Sequence, residues 1–373
     1  MTPGEPLRSF QVQGYKSLRD VKLDLSSQVT LLVGANGSGK SNVVDAVELL
    51  GRISDGQLQK HVLRSGGMHS LLHHASSAAD SASQIVLEAW GEEHEGLSNG
   101  YRAQLSHGPD DSALVAETTY FHDATKYQFP YDESLGLGRE SNLRGKAQTT
   151  PRAKFVVEVM EGCRVYHFDD VSDDAPPKRR SDVGDDITLS SDGHNIAAVL
   201  ARLRRQDVSA YDRIVRTVRS VAPFFEDFVL KEDAGTIALR WRERGLDQVF
   251  SAGALSDGTM RFICLAVLLL QDRPPPTVVL DEPELGLHPF AVHQLAGVIR
   301  RAARSRKIVA ATQSVTLLEQ FTVDEVAVVE RAGEGTQVSR PDPKELGEWL
   351  EDYSLGELWE KNILGGRPTS ARS

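Results

Sequence analysis

The run Gly34, Ala35, Asn36, Gly37, Ser38, Gly39, Lys40, Ser41 fits the spacing G-x-x-x-x-G-K-[ST] and lies between two apolar segments. Ahead of it, VTLLV reads as a strand. Behind it, Val43, Val44, Ala46, Val47, Leu49 and Leu50 recur at helical spacing. Glycines at these positions let successive backbone N–H groups turn inward around a polyphosphate, and the start of the next helix adds partial positive charge. Lys40 is expected to reach the β- and γ-phosphates and Ser41 to hold Mg²⁺, with Asn42 completing the nucleotide-binding set. A nucleoside triphosphate and Mg²⁺ are therefore the expected ligands, on an α/β fold.

The chain has 373 residues, of which 40% are hydrophobic, enough for two ordinary domains or one large α/β domain with an added lobe. A net charge of −11 argues against a surface that coats nucleic acid in general. It leaves a local basic groove open, with candidate runs PKRR (177–180), RLRR (202–205) and RRAARSRK (300–307), each readable as a solvated face. Two cysteines, Cys163 and Cys264, are too few for a disulfide framework. No apolar stretch is long enough to span a bilayer, and MTPGEPLRSF does not resemble a signal peptide, so a cytoplasmic location is expected.

Alternation at Phe10 and Val12, then Val21, Leu23 and Leu25, predicts a β-hairpin feeding the strand before the loop. QIVLEAWG (84–91), YRAQLSHG (101–108) and SALVAETTYF (112–121) predict an antiparallel meander. SSAADSAS (76–83) reads as a flexible loop, and the charged, aperiodic stretch 169–186 as a mobile surface segment. Between 195 and 221, Ile196, Val199, Leu200, Leu203, Ile214, Val215 and Val218 predict two amphipathic helices, followed by strand-like FVLK (228–231) and TIALRWRE (236–243). An inserted helical lobe is the simplest arrangement, with no heptad run for a long coiled coil.

Two further motifs carry chemistry. In PTVVLDEPELGLHP (276–289) an apolar strand ends in Asp281 and Glu282, where one acid can hold the Mg²⁺ shell and the other can deprotonate an attacking water. In SAGALSDG (251–258) the residues Leu255, Ser256, Asp257 and Gly258 precede a strongly apolar helix, giving a second helix-start anion site that is also a plain N-cap. His69, His73 and His74 are weaker: the first two stand at i, i+4, a zinc-compatible spacing, without an evident third ligand.

Together, GANGSGKSN, LSDGTMRF and VVLDEPELGLHP resemble the ATP-binding-cassette ATPases of the RecF, SMC and OLD type. GYKSLRD, ATQSVTLLEQF (311–321) and WLEDYSLGELWEKNILGGRP (349–368) add a more specific resemblance to stand-alone ATPases of the AAA_21 group. The resemblance implies a P-loop NTPase with an ABC-like mixed sheet and a helical lobe. Its expected parts are ATPase lobe I at 1–135 and 275–340, the helical lobe with the signature motif at 136–274, and a helical tail at 341–373.

The same resemblance implies ATP as the nucleotide, with Mg²⁺, in a head-to-tail sandwich in which Gly34 to Ser41 of one subunit bind ATP and Ser256 to Gly258 of a second, in the signature Leu255 to Gly258, close over its γ-phosphate. Glu282 would be the general base, Asp281 the magnesium acid, and Leu285 to His288 a loop crossing the interface. Where the family often carries a histidine, this chain has Gln313, which cannot become cationic, so slow turnover is expected. Lys16 and Ser17 resemble the approach to base or ribose, and Gln84 is the candidate magnesium-side glutamine.

The leading expectation is an ATP-hydrolysing switch acting on DNA or a partner protein, in DNA repair or antiphage defence. The alternatives are a transporter's nucleotide-binding subunit and a non-hydrolysing scaffold. With about 43 residues after Glu330 and no separate acidic metal cluster, the nuclease activity of OLD-type proteins is not expected. The helix expected around Leu350, Tyr353, Leu355, Leu358 and Trp359 should pack on the core.

Overall fold

The computed structural model describes residues 5–77, 80–170 and 172–365. Ala78 and Ala79 of the serine-rich loop, Val171 of the charged stretch, and the residues from 366 onward, with the end of the C-terminal motif, lie outside the described residues.

The hairpin β1 (Leu7–Tyr15) and β2 (Leu18–Asp24) leads into β3 (Val29–Val33), the phosphate loop, α1 (Lys40–Ser54) and α2 (Leu58–Arg64). Then come β4 (Gln84–Gly91), β5 (Leu97–His107), β6 (Ala113–Asp123) and β7 (Tyr131–Gly138). With the hairpin they form one antiparallel sheet ordered β2-β1-β4-β5-β6-β7, as the alternating patterns predict. Helices α3 (Leu143–Ala147) and α4 (Pro151–Met160) precede the two-residue strand β8 (Val165–Tyr166).

The middle of the chain holds β9 (Arg180–Asp182), α5 (Ile196–Gln206), α6 (Val208–Val221), β10 (Phe225–Phe228), β11 (Glu232–Asp233), β12 (Thr236–Ala238), β13 (Arg240–Glu243), β14 (Val249–Ser251) and α7 (Asp257–Leu270). The last part supplies β15 (Thr277–Asp281), α8 (Pro289–Ala302), β16 (Lys307–Thr312), α9 (Val315–Leu318), β17 (Val326–Ala332), β18 (Gly335–Ser339), α10 (Gly347–Asp352) and α11 (Leu355–Glu360). The second large sheet runs β18-β17-β3-β16-β15-β8 and is parallel except for β18.

Alternate side chains of the parallel strands enter two cores. Leu32, Val279, Val309 and Ala311 join Val43, Val47 and Leu50 of α1 and Phe10, Val12 and Leu87 of the meander. Leu31, Val33, Val278, Leu280 and Ile308 face the other way, against α5 to α8. These strands are buried on both faces, which is why VTLLV and TVVL read as unbroken apolar runs. α1 is thus clamped between the sheets, and the loop before it is held from both sides.

Four expectations need correction. α4 buries Val156, Val159 and Met160 in the meander core and β8 joins the parallel sheet beside β15, so the helical lobe starts after β8 and not at 136. The charged stretch 169–186 is anchored: β9 pairs with β12, and Ala175, Pro177 and Ser181 are buried. The strand-like TIALRWRE divides at Leu239 into β12 and β13, which belong to different small sheets. At the C-terminal end two short helices replace one, with Leu355 and Leu358 packed on the core. Among the described residues no helix is long and apolar enough to cross a membrane.

Candidate functional site

The phosphate loop is wound tightly. A side chain at Gly34 would lie 2.2 Å from the Val329 carbonyl, and one at Gly39, whose φ is +107°, would lie 2.1 Å from Thr336 Oγ1. Only glycine fits either place. Lys40 Nζ donates to the carbonyls of Gly34 at 2.6 Å and Ala35 at 3.1 Å, holding the ammonium over the loop. Burial lowers its pKa, opposed by the negative charges of Glu282, Asp281 and Glu284. Ser41 and Asn36 are exposed, and Asn42 Nδ2 donates to Ser17 Oγ at 2.7 Å.

Asp281 closes β15, and Glu282 follows it with φ +42°, a left-handed backbone costly for a residue with a Cβ. This kink separates the two acids. Burial raises the Asp281 carboxyl to about 6 against the nearby His167, and its Oδ1 is buried without a hydrogen-bond partner. Gln313, after β16, donates its side-chain amide to Glu282 Oε1. Glu284, which lies inside the motif at 276–289 but carries no expected role there, accepts from Thr312 Oγ1 and the Gln313 N–H, tying the end of β16 to the loop after β15. Burial raises its pKa.

A second residue missed from sequence is His167, directly after β8. It lines the cleft with Asp281, Glu282 and Arg261. Its Nε2 lies 3.8 Å from Glu48 of α1, which holds the imidazole's pKa up while the imidazole, with Arg52, draws Glu48 down to about 2. The third is Arg261. Its guanidinium donates to Phe168 O at 2.8 Å, to Asp169 O at 3.3 Å and to Leu285 O, binding the signature helix to the segments after β8 and β15. Gly258 packs under the same loop, its absent Cβ only 2.5 Å from Gly286 O.

Ser256 caps α7, accepting from the Thr259 N–H at 3.3 Å. Ser256 and Asp257 are exposed and stand outside the cleft lined by Asp281 and Glu282, and Leu255 is buried beneath them. Leu285 lines the cleft and is half exposed, and Phe290 at the start of α8 is half exposed as well.

Other candidates separate from this centre. Gln84 sits at the exposed start of β4 and accepts from Gln104 at 2.7 Å, on the meander and outside the cleft lining, so it is not the magnesium-side group. Ser17 is buried against Thr336, at 2.7 Å, and braces the loop from beneath instead of reaching toward a base. Lys16 is ion-paired with Asp45 at 2.7 Å. His69 lies in a single 3-10 turn and His73 is buried beyond it, its Nδ1 2.6 Å from Lys16 O, so no shared helix face exists. Among the described residues no three His, Cys, Asp or Glu side chains are grouped to hold a metal ion.

Part of each basic run is ion-paired within the fold: Arg180 pairs with Asp233, Arg202 with Asp272, Arg205 with Glu232 and Lys307 with Glu92.

The family model described as "AAA domain, putative AbiEii toxin, Type IV TA system" matches residues 29–319. The chain belongs to this AAA_21 family. A model of the P-loop-containing region of AAA domains matches residues 7–50. The Chromosome partition protein Smc of Desulfitobacterium hafniense (strain Y51) is 42% identical over 72 residues, 19% of this chain and 6% of that protein. The DNA replication and repair protein RecF of Pseudomonas putida (strain W619) is 30% identical over 92 residues, 25% of this chain and 23% of that one. The matched stretches span less than a quarter of these relatives.

In fold, the AAA_21 chain is similar to an Smc head bound to the C-winged helix domain of ScpA, with TM-score 0.64, 16% identity and coverage of 92% of this chain and 99% of that one. An Smc head from Pyrococcus furiosus, bound to the C-terminal domain of ScpA, gives TM-score 0.60 at 14% identity, covering 93% and 99%. The AAA_21 chain thus carries the P-loop region of AAA domains on a fold shared with the Smc heads.

Proposed function

We propose that this AAA_21 ATPase is a slow ATP-driven switch, in which two copies join head to tail around ATP and separate on hydrolysis. The observation that carries it is the placement of Ser256 and Asp257, exposed at the helix start and outside the cleft that holds Asp281 and Glu282. Such a site is complete only when a second copy brings its α7 N-terminus to the phosphates. The change of assembly would then act on DNA or a partner protein, in DNA repair or antiphage defence, within the cytoplasm. The relatives named for chromosome partition and for DNA replication and repair support the DNA arm, and the Smc head bound to a ScpA domain supports the protein arm.

Within one site, Lys40 would exchange the carbonyls of Gly34 and Ala35 for phosphate oxygens, and Gly34 to Gly39 would present N–H groups to the same oxygens. Glu282 would take the proton of the attacking water, with Gln313 orienting its carboxylate. The residues fit a magnesium ion: Asp281 Oδ1 is buried and unpartnered, and Ser41 is exposed at the first turn of α1. Mg²⁺ held by these two would supply charge neutralisation on the transferring phosphoryl group.

Light scattering with and without ATP and Mg²⁺, on wild type and Glu282→Gln, tests the proposal alongside phosphate release. A Glu282→Gln protein that stays dimeric on ATP without turnover is expected. A protein that remains monomeric in every condition would overturn the homodimer.

A further inference from the structure

Thr336 lies on β18, far along the chain from the phosphate loop, yet its hydroxyl donates to the Ser38 carbonyl at 2.9 Å. That proton is therefore committed, so in the 2.7 Å contact between Ser17 Oγ and Thr336 Oγ1 the serine is the donor. Ser17 Oγ in turn accepts from Asn42 Nδ2 at 2.7 Å. The backbone reinforces the contact, because the Thr336 N–H donates to Ser17 O at 2.8 Å. A directed chain thus runs from Asn42 in the first turn of α1, through Ser17 and Thr336, back to Ser38 in the loop. Thr336 is 2% exposed and Ser17 is 8% exposed.

The chemistry lies in the peptide unit that joins Ser38 to Gly39. In a planar trans peptide the C=O and the following N–H point in opposite directions. Anchoring the Ser38 carbonyl outward on Thr336 therefore turns the Gly39 N–H away from Thr336, toward the inside of the loop. Gly39 has the φ of +107° that this orientation requires, and Thr336 presses on it so closely that a Cβ would overlap its Oγ1. Without the anchor, a glycine peptide is free to flip and present its carbonyl, a repulsive group, to an incoming phosphate. We infer that Thr336 is a positioning residue of the ATPase, aiming the Gly39 N–H at the nucleotide's phosphates, with Ser17 and Asn42 as its supports.

The inference rests on the phosphate-loop reading, and the test separates the two. Steady-state ATP hydrolysis with Mg²⁺ is measured for wild type, Thr336→Val, Thr336→Ser, Ser17→Ala and Lys40→Ala, each checked for folding by its thermal transition. Thr336→Val keeps the β-branched shape and removes the donor. It is expected to raise KM for ATP about tenfold with kcat within about twofold, as when one hydrogen bond to a charged group is removed. Thr336→Ser should restore KM, and Ser17→Ala, which leaves the Thr336 anchor but frees its orientation, should fall between. A purely structural role would reduce the folded fraction and hence apparent kcat, leaving KM unchanged. An unchanged KM in Thr336→Val, or a Thr336→Ser no better than Thr336→Val, would overturn the inference alone. A Lys40→Ala protein as active as wild type would overturn the loop reading, and the inference with it.

Discussion

The side-chain amide of Gln313 donates to Glu282 Oε1, linking the turn after β16 to the acid after β15. The contact orients the carboxylate while adding no charge, since an amide cannot be protonated to a cation near neutral pH. Gln313→Ala should therefore lower kcat by about tenfold or more while leaving KM for ATP within about twofold, the signature of an interaction that counts in the transition state. Glu282→Gln should lose about a hundredfold or more, as expected for a general base. Phosphate-release kinetics on the two variants decide it; equal losses in both would mean that Glu282 cannot act as a base at all without the orienting amide.

Glu282 carries φ +42°, a conformation that glycine adopts without strain. Glycine is ordinarily the less stable choice against alanine, by roughly 0.5–1 kcal/mol within a regular element. At this position the order should reverse: Glu282→Gly is expected to be about 1 kcal/mol more stable than Glu282→Ala, with both inactive. Urea unfolding of the two variants measures it. Alanine as stable as glycine would mean the backbone relaxes when the carboxylate is removed, and that no strain is held at the base.

How much of this centre could be read from sequence depended on how local each signal was. Gly34 to Ser41 and the pair Asp281, Glu282 are compact motifs with apolar flanks, and the strand, loop and helix follow from residues within one short window. His167 had no such flank: it follows a strand of two residues whose place is set by pairing with β15, over a hundred residues on. Gln84 failed for the converse reason, being at the start of a correctly predicted strand that belongs to the other sheet. Ser17 and Thr336 are 319 residues apart and meet only because β18 lies over the hairpin, so no periodicity could join them. Arg261 was inside a recognised motif, but its three carbonyl partners come from two distant segments.

Arg261 predicts a non-conservative response to a conservative change. Its fork of donors reaches Phe168 O, Asp169 O and Leu285 O, and a lysine ammonium on a flexible stem cannot span all three. Arg261→Lys should leave at least one carbonyl unsatisfied and lower stability by about 1–3 kcal/mol. It should also weaken ATP-dependent dimerisation, because Leu285 belongs to the half-exposed loop proposed to meet the second copy. Denaturant unfolding and light scattering report the two effects separately. A drop in stability with dimerisation intact would confine Arg261 to holding the fold.

The pair of His167 and Glu48 predicts a pH window. Glu48 is depressed to about 2, so its contribution is present above its ordinary value near 4.5 and fades as pH falls toward 2. His167 is raised above its ordinary 6.5, so its contribution is complete below 6.5 and is lost as pH climbs through the raised value. Both conditions hold between about pH 4.5 and 6.5. The drop in Tm on changing His167→Asn should be greatest in that interval and narrow toward pH 8. A drop that is constant from pH 5 to 8 would show that the imidazole acts by packing alone.

The last prediction concerns cationic side chains that face a groove without a carboxylate. Arg213 and Arg216 of α6 and Arg301 of α8 line one groove with Thr217, Ser220 and Gln294, and no carboxylate is among its lining residues. Arg216 and Arg301 are exposed, and Arg213 makes a hydrogen bond to Ser209 Oγ at 2.6 Å. No aromatic ring lines the groove, so any nucleic acid there would be gripped by its backbone and not by stacked bases. If the switch acts on DNA through this face, Arg216→Glu with Arg301→Glu should weaken binding of a mixed-sequence duplex while basal ATP hydrolysis stays unchanged. The slope of log K against log salt should flatten by roughly 0.9 for each phosphate that the variant no longer neutralises. Fluorescence anisotropy across a salt series measures it. Duplex binding that is unaltered in the double variant would remove this groove from the DNA reading, and a groove that takes a polyglutamate peptide in preference to the duplex would point to an acidic protein partner.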